Sequence, residues 1–105
     1  MTLDAELLKL AVQETKSEAG IFWEDDDKRI ERYVQTAYKW LLHFNDDEPW
    51  LFDENSEEFT LITQRARYQY NNALDLFEPN YNYEINRISV NLARYKERIK
   101  NATTT

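Results

Sequence analysis

Groups that could perform chemistry are few in this chain. There is no cysteine and a single histidine, His43, so the sequence cannot build a thiolate or multi-histidine metal site. The acidic runs "WEDDDK" and "NDDEPW" lack the glycine and the distal glutamate of a helix-loop-helix calcium site. The only glycine is Gly20, which excludes a glycine-rich phosphate loop. We therefore expect no catalytic residue, no cofactor and no metal, and we interpret His43 as a helix-terminal residue.

A carboxylate-based enzyme or metal protein is an alternative hypothesis, because two acids on facing helices could serve as acid and base. No spacing in the sequence singles out such a pair. The acidic runs are better explained as solvated helix caps and loops.

The elements that would carry these residues are predicted to be helices in one domain spanning residues 1–105. One glycine and two prolines in 105 residues are too few for a fold of many short strands. No apolar run approaches the roughly 20 residues of a membrane span, and lack of cysteine fits a reducing compartment, so we expect a soluble intracellular protein.

Apolar residues spaced by three and four predict an all-α bundle of three main helices plus a short N-terminal helix. The short helix is expected to close at Gly20. The first main helix follows Asp25–Asp27, the second begins at Asn55 or Ser56 with a capping box to Glu58, and a polar tail starts near residue 100. The apolar positions are Leu3, Leu7, Leu10 and Ala11; Ile30, Tyr33, Val34, Ala37, Leu41 and Phe44; Phe59, Ile62, Ala66, Tyr70, Ala73 and Phe77; and Ile85, Ile88, Leu92, Tyr95 and Ile99.

Pro79 predicts a break or kink, because proline lacks an N–H and clashes with the carbonyl four residues earlier. The apolar spacing nevertheless continues through Phe77, Tyr81 and Ile85. We therefore expect two helices, or one kinked helix, with a common face. The residues expected to be buried are Tyr33, Ala37, Leu41, Ile62, Ala66, Ala73, Phe77, Ile88 and Leu92.

Charge and aromatic residues indicate candidate partner surfaces. Residues 1–58 carry a net charge of −10 and residues 59–105 carry +3. The basic segment Arg94, Lys96, Arg98 and Lys100 could complement a helix dipole or could dock onto an acidic protein surface. Tyr33, Tyr70, Phe77 and Tyr95 fall on inferred core faces. Trp23, Trp50 and Phe52 could instead plug the bundle ends or form an interface.

Two ordered blocks carry a family resemblance. The block "IFWEDDDKRI" precedes an amphipathic helix, and "RYQYNNALDLFEPNYNYEI" precedes a heptad-like helix. In this order, over about residues 21–98, the chain resembles the head-to-tail connector (adaptor) proteins of tailed bacteriophages and prophages. Pro79 departs from the continuous helix that close relatives would have.

The resemblance implies a virion structural protein that forms a homo-oligomeric ring, commonly of twelve copies, beneath the portal protein. Such a ring lies in the virion neck, is assembled in the bacterial cytoplasm, extends the DNA channel without binding DNA specifically, and docks a stopper or tail-completion protein. It makes Arg67, Gln69 and Asn71 candidates for contacts with neighbouring copies. Trp50 and Phe52 are further candidate contacts of the connector. The alternative is a free-standing helical module or regulator that binds one partner through its loop aromatics, Trp23, Trp50 and Phe52.

Overall fold

The computed structural model describes residues 2–103 and shows a helical protein, with no strand in that range. The α-helices are α1 (Ala5–Ala19), α2 (Asp27–Leu42), α3 (Glu57–Tyr70), α4 (Phe77–Asn80) and α5 (Asn82–Thr103), and short 3-10 helices cover His43–Asn45 and Leu74–Leu76. The all-α prediction is confirmed. The chain has more helices than predicted, and its expected polar tail continues α5 through Thr103, while residues 104–105 lie outside the described range.

Two of the helices end in the same hydrogen-bonded motif. After α1, Gly20 adopts φ 70°, its N–H bonds to Ser17, and the N–H of Ile21 bonds to Lys16. After α3, Asn72 adopts φ 57°, and Ala73 donates to Tyr68 across 2.8 Å. Glycine and asparagine are the residues that tolerate this left-handed geometry best. Gly20 thus closes α1 as predicted.

The predicted second main helix is shorter than its apolar spacing suggested. Asn72 turns the chain after Tyr70, so Ala73 and Phe77 lie outside α3. Pro79 itself causes no break, because it is the third residue of α4, where a backbone N–H would have no intrahelical partner. The break between α4 and α5 falls two residues later, at Tyr81.

The helix starts differ in how their backbone N–H groups are satisfied. Ser56 caps α3, since its hydroxyl accepts from Phe59 N across 3.2 Å. The expected capping box between Asn55 and Glu58 does not form, because Ser56 is the N-cap and the Asn55 N–H donates to Asp53, while Glu58 accepts from Trp50. Asp26 precedes α2 but makes no side-chain cap bond.

The larger core cluster lies where α1, α2 and α3 meet. Ala11, Ala37 and Ala66 are fully buried there, and their small side chains let the helices approach closely. Ile30, Val34, Leu41 and Ile62 fill the space between them, each with no exposed surface.

A second cluster joins α3, α4 and α5 around Phe77, which is fully buried. Its ring stacks on Tyr81 at 5.0 Å and meets Trp40 and Tyr68 edge-on. Phe77, Tyr81 and Ile85 thus share one face across the helix break, as their spacing predicted. Seven of the nine residues expected to be buried are so, and Tyr33 and Ala73 are partly exposed.

Candidate interface

Asp26, in the first acidic run, is held in several contacts within the fold. Asp26 accepts from Trp23 Nε1 at 2.9 Å and from the Tyr70 hydroxyl at 2.6 Å, and it lies 3.3 Å from Arg29. The hydrogen bond from Trp23 is the main cause that lowers the pKa of Asp26, and the bond to Asp26 raises the pKa of Tyr70. These contacts fasten the start of α2 to the end of α3.

Asp27 and Asp46, one from each acidic run, form ion pairs with lysine side chains. Asp27 pairs with Lys16 at 2.6 Å, and Asp46 pairs with Lys96 at 3.0 Å. His43 is the C-cap of α2, as its predicted terminal position required, and its Nδ1 contacts Asp47. Across residues 2–103, no three histidine or acidic side chains converge in a way that could hold a metal ion.

Trp50 and Phe52, two candidate partner residues, lie partly buried in the loop between α2 and α3. Trp50 Nε1 donates to Glu58 at 2.8 Å, and the Trp50 ring lies 6.1 Å from that of Phe52. Phe52 also lies 6.3 Å from Tyr38. Both rings therefore cover one end of the bundle, while Leu51 between them is fully exposed.

The candidates on α3 differ from each other in exposure. Arg67 is partly buried, bonds through Nε to Gln64 at 2.8 Å, and lies over the Tyr68 ring. Gln69 is likewise partly buried, so Arg67 and Gln69 offer less surface to a neighbouring copy than fully exposed side chains would. Asn71, at the C-cap, is exposed.

The four basic candidates lie on the exposed end of α5. Arg94, Lys96, Arg98 and Lys100 all belong to a stretch, residues 93–101, in which every side chain is exposed. Lys96 bonds to Asp46, and Arg87, nearer the start of α5, makes a two-pronged pair with Glu57. Two cations of α5 are thus bound to acids of the N-terminal half. The acidic residues and the basic residues therefore do not lie on two fully separate surfaces.

Tyr95 was expected in the core, and that prediction is wrong. Ile88 and Leu92 are 5% and 7% exposed, whereas Tyr95 and Ile99 on the same helical face are 53% and 47% exposed. The apolar face of α5 therefore continues past the part of the helix that packs against the bundle. We call Tyr95 and Ile99 the α5 stripe.

Sequence reasoning missed three strongly exposed hydrophobic side chains. Phe22 is 93% exposed, Leu51 is 100% exposed and Tyr83 is 69% exposed. Phe22 and Leu51 lie in loops and belong to no helical pattern, so apolar spacing could not identify them. The one available signal was their position near the acidic runs. Such side chains are candidates for partner contacts.

None of the helices in the described range combines the length and apolar character needed to cross a membrane. Searches with the sequence against family models and curated proteins, and with the structure against solved structures, find no match. The resemblance to phage connector proteins stays a prediction.

Proposed function

We propose that the protein is a structural connector of a tailed bacteriophage or prophage. In this role copies of the chain form a ring beneath the portal protein, extend the DNA channel, and dock a stopper or tail-completion protein. The ring would lie in the virion neck after assembly in the host cytoplasm.

The observation that carries the proposal is the exposed hydrophobic surface near the end of α5. The apolar face of α5 continues past the bundle, where Tyr95 and Ile99 are about half exposed. Such a surface is suited to contact with another protein. Basic residues alternate with this apolar face, which adds electrostatic selectivity for an acidic partner. The net charge of −7 also disfavours tight binding of DNA passing through a ring.

The test replaces Arg94, Lys96, Arg98 and Lys100 with glutamate and measures attachment to portal-bearing capsids of the encoding phage. We expect the variant to fold and to lose attachment, because several repeated contacts act together even though each exposed ion pair contributes only about 0–1 kcal/mol. Raising salt should weaken attachment of the unaltered chain, since the Debye length is about 8–10 Å at moderate ionic strength.

The matched control reverses four other exposed cations, Lys9, Lys28, Arg32 and Lys39, on α1 and α2. This variant has the same net charge but should attach normally. Undiminished attachment of the α5 variant would refute docking through α5, and failure of the unaltered chain to bind capsids would refute the connector function.

A single-partner interaction module is the second candidate. The nearly complete exposure of Phe22 and Leu51 favours it, because such loop side chains could seat in one partner. It predicts a defined dimer or heterodimer and no affinity for a portal ring. Portal and capsid genes beside the coding gene would favour the connector.

A further inference from the structure

The α5 stripe is about half exposed to solvent, and its surroundings indicate what kind of surface could bind it. Ile88, Leu92, Tyr95 and Ile99 follow steps of three and four, so they line one face of α5. The first two are buried against the bundle and the last two are about half exposed. The helix contains no interruption from Asn82 to Thr103, so this end cannot fold back onto its own bundle.

Cations flank the α5 stripe on both sides. At 100° per residue, Lys96 and Lys100 lie along one edge of the stripe and Arg94 and Arg98 along the other. An apolar line with basic edges fits an apolar groove with acidic rims, which is the helix-in-groove mode of recognition.

The molecule has such a groove between the start of α1 and the loop before α3. Its apolar lining includes Leu3, Leu7, Leu10, Trp50 and Phe52. Its charged lining consists of Asp4, Glu6, Asp53 and Glu54, with no cation among the described lining residues. We call this the acidic groove.

The acidic groove is separated from the α5 of its own chain. On the other side of the loop, a second groove is lined by Pro49, Trp50 and Leu51 together with Ile88 and Tyr95. The segment from Pro49 to Leu51 therefore stands between α5 and the acidic groove. The α5 of the same chain therefore could not enter the acidic groove without unfolding, whereas the α5 of another copy could.

We propose that the α5 stripe of one copy docks in the acidic groove of the next copy, with the basic flanks against the acidic rims. The two surfaces differ, so the contact is head-to-tail and can repeat around a closed ring. This contact rests on the proposed function in that it supplies the ring's subunit interface.

The chain has no cysteine, so single introduced thiols test this contact directly. Ile99→Cys is mixed with Glu6→Cys, both at exposed positions, and the yield of disulfide-linked heterodimer is measured under mild oxidation. The matched control mixes Tyr83→Cys, on the other face of α5, with Glu6→Cys. We expect the first mixture to form heterodimer and the second to form little.

A charge swap identifies the partner surface. Adding Arg94→Glu and Arg98→Glu to the Ile99→Cys chain should abolish the cross-link. Adding Asp53→Lys and Glu54→Lys to the Glu6→Cys chain should then restore it, because opposite charges again meet in the groove. Melting curves of each variant verify that the bundle is folded before mixing.

A cross-linking yield no greater than that of the Tyr83 control, or a yield that the charge swap does not restore, would overturn the proposal. Preferred linkage of Ile99→Cys to itself would show a symmetric contact and would also overturn it. If the cross-link fails while the chain still joins portal-bearing capsids, the connector function survives. If the cross-link forms but no capsid binds, self-assembly stands and the connector function fails.

Discussion

The hydroxyl of Tyr70 donates a 2.6 Å hydrogen bond to the carboxylate of Asp26, 44 positions earlier in the chain. This bond joins the last residue of α3 to the residue that precedes α2. Trp23 donates to the same carboxylate oxygen, and the guanidinium of Arg29 lies 4.9 Å from the centre of the Tyr70 ring. Folding thus stabilises Asp26 as a carboxylate and Tyr70 as a neutral phenol.

The first prediction is a loss of stability at both ends of the pH range. Because the pKa of Asp26 is lowered in the folded chain, its contribution is present above the ordinary aspartate pKa of about 3.9 and is lost as pH falls through the lowered value. The raised pKa of Tyr70 makes its contribution complete below about pH 10, and this contribution is lost as pH rises further. Urea midpoints measured from pH 2.5 to 11 should show both declines.

The control for this prediction replaces each of two neighbouring aspartates with asparagine. Asp26→Asn should flatten the acid decline relative to the unaltered chain, whereas Asp25→Asn, at an exposed position, should leave it nearly unchanged. Tyr70→Phe should flatten the alkaline decline. Equal acid profiles for the two amide variants would contradict the role of Asp26.

The second prediction concerns Phe77, whose ring is fully buried among Trp40, Tyr68 and Tyr81. Phe77→Ala should lower the free energy of unfolding by about 3–5 kcal/mol, because it removes a buried ring and leaves a cavity. For a domain whose total stability is about 5–15 kcal/mol, this loss is severe.

Denaturant unfolding followed by helical circular dichroism measures the effect. The matched control is Leu76→Ala, because the adjacent Leu76 is 52% exposed and should lose far less. A Phe77→Ala variant as stable as Leu76→Ala would show that α4 does not anchor the second cluster.

Helical periodicity was enough to predict the fold class and much of the core. The apolar faces of α2 and α3 follow steps of three and four, and Ala37, Leu41, Ile62 and Ala66 are buried where that spacing placed them. Such spacing reports which residues share a face, since it depends only on helix geometry.

The end of α3 could not be predicted from the same spacing. Asn72 takes a left-handed conformation, which asparagine permits but does not require. The apolar spacing from Ala66 to Phe77 continues across this turn, so periodicity alone predicts a continuous helix there. The break predicted near Pro79 is found, but at Tyr81, two residues later, because proline is tolerated in the first turn where Pro79 lies.

The candidate interface was predicted only in part, because periodicity does not report where a bundle ends. Tyr95 and Ile99 continue the pattern of Ile88 and Leu92, yet both are about half exposed. Exposure of Phe22 and Leu51 depends on loop conformation, which local sequence determines weakly. The basic residues of α5, in contrast, were recognisable from composition alone.

The third prediction concerns Gly20, which adopts φ 70° at the end of α1. An added Cβ would meet no atom within 4 Å, so substitution costs backbone strain rather than a steric clash with the bundle. Gly20→Ala should lower stability by about 1–2 kcal/mol, the cost of the left-handed region for a residue with a Cβ. Thermal unfolding measures the loss, and Gly20→Asn should lose less. Equal melting temperatures for all three chains would contradict the motif.

The last prediction separates packing from partner contact in the loop before α3. Trp50 is partly buried and donates to Glu58, whereas the next residue, Leu51, is fully exposed. Trp50→Ala should therefore lower the free energy of unfolding by about half of the roughly 3–5 kcal/mol that truncating a fully buried aromatic costs. Leu51→Ala should leave that free energy within about 0.5 kcal/mol of the unaltered chain, as surface substitutions do. Chemical denaturation of both variants measures the difference, and size-exclusion and capsid attachment of Leu51→Ala measure any contact role. If Trp50→Ala proves as stable as Leu51→Ala, the ring does not close the bundle end, and Trp50 acts only as a partner contact.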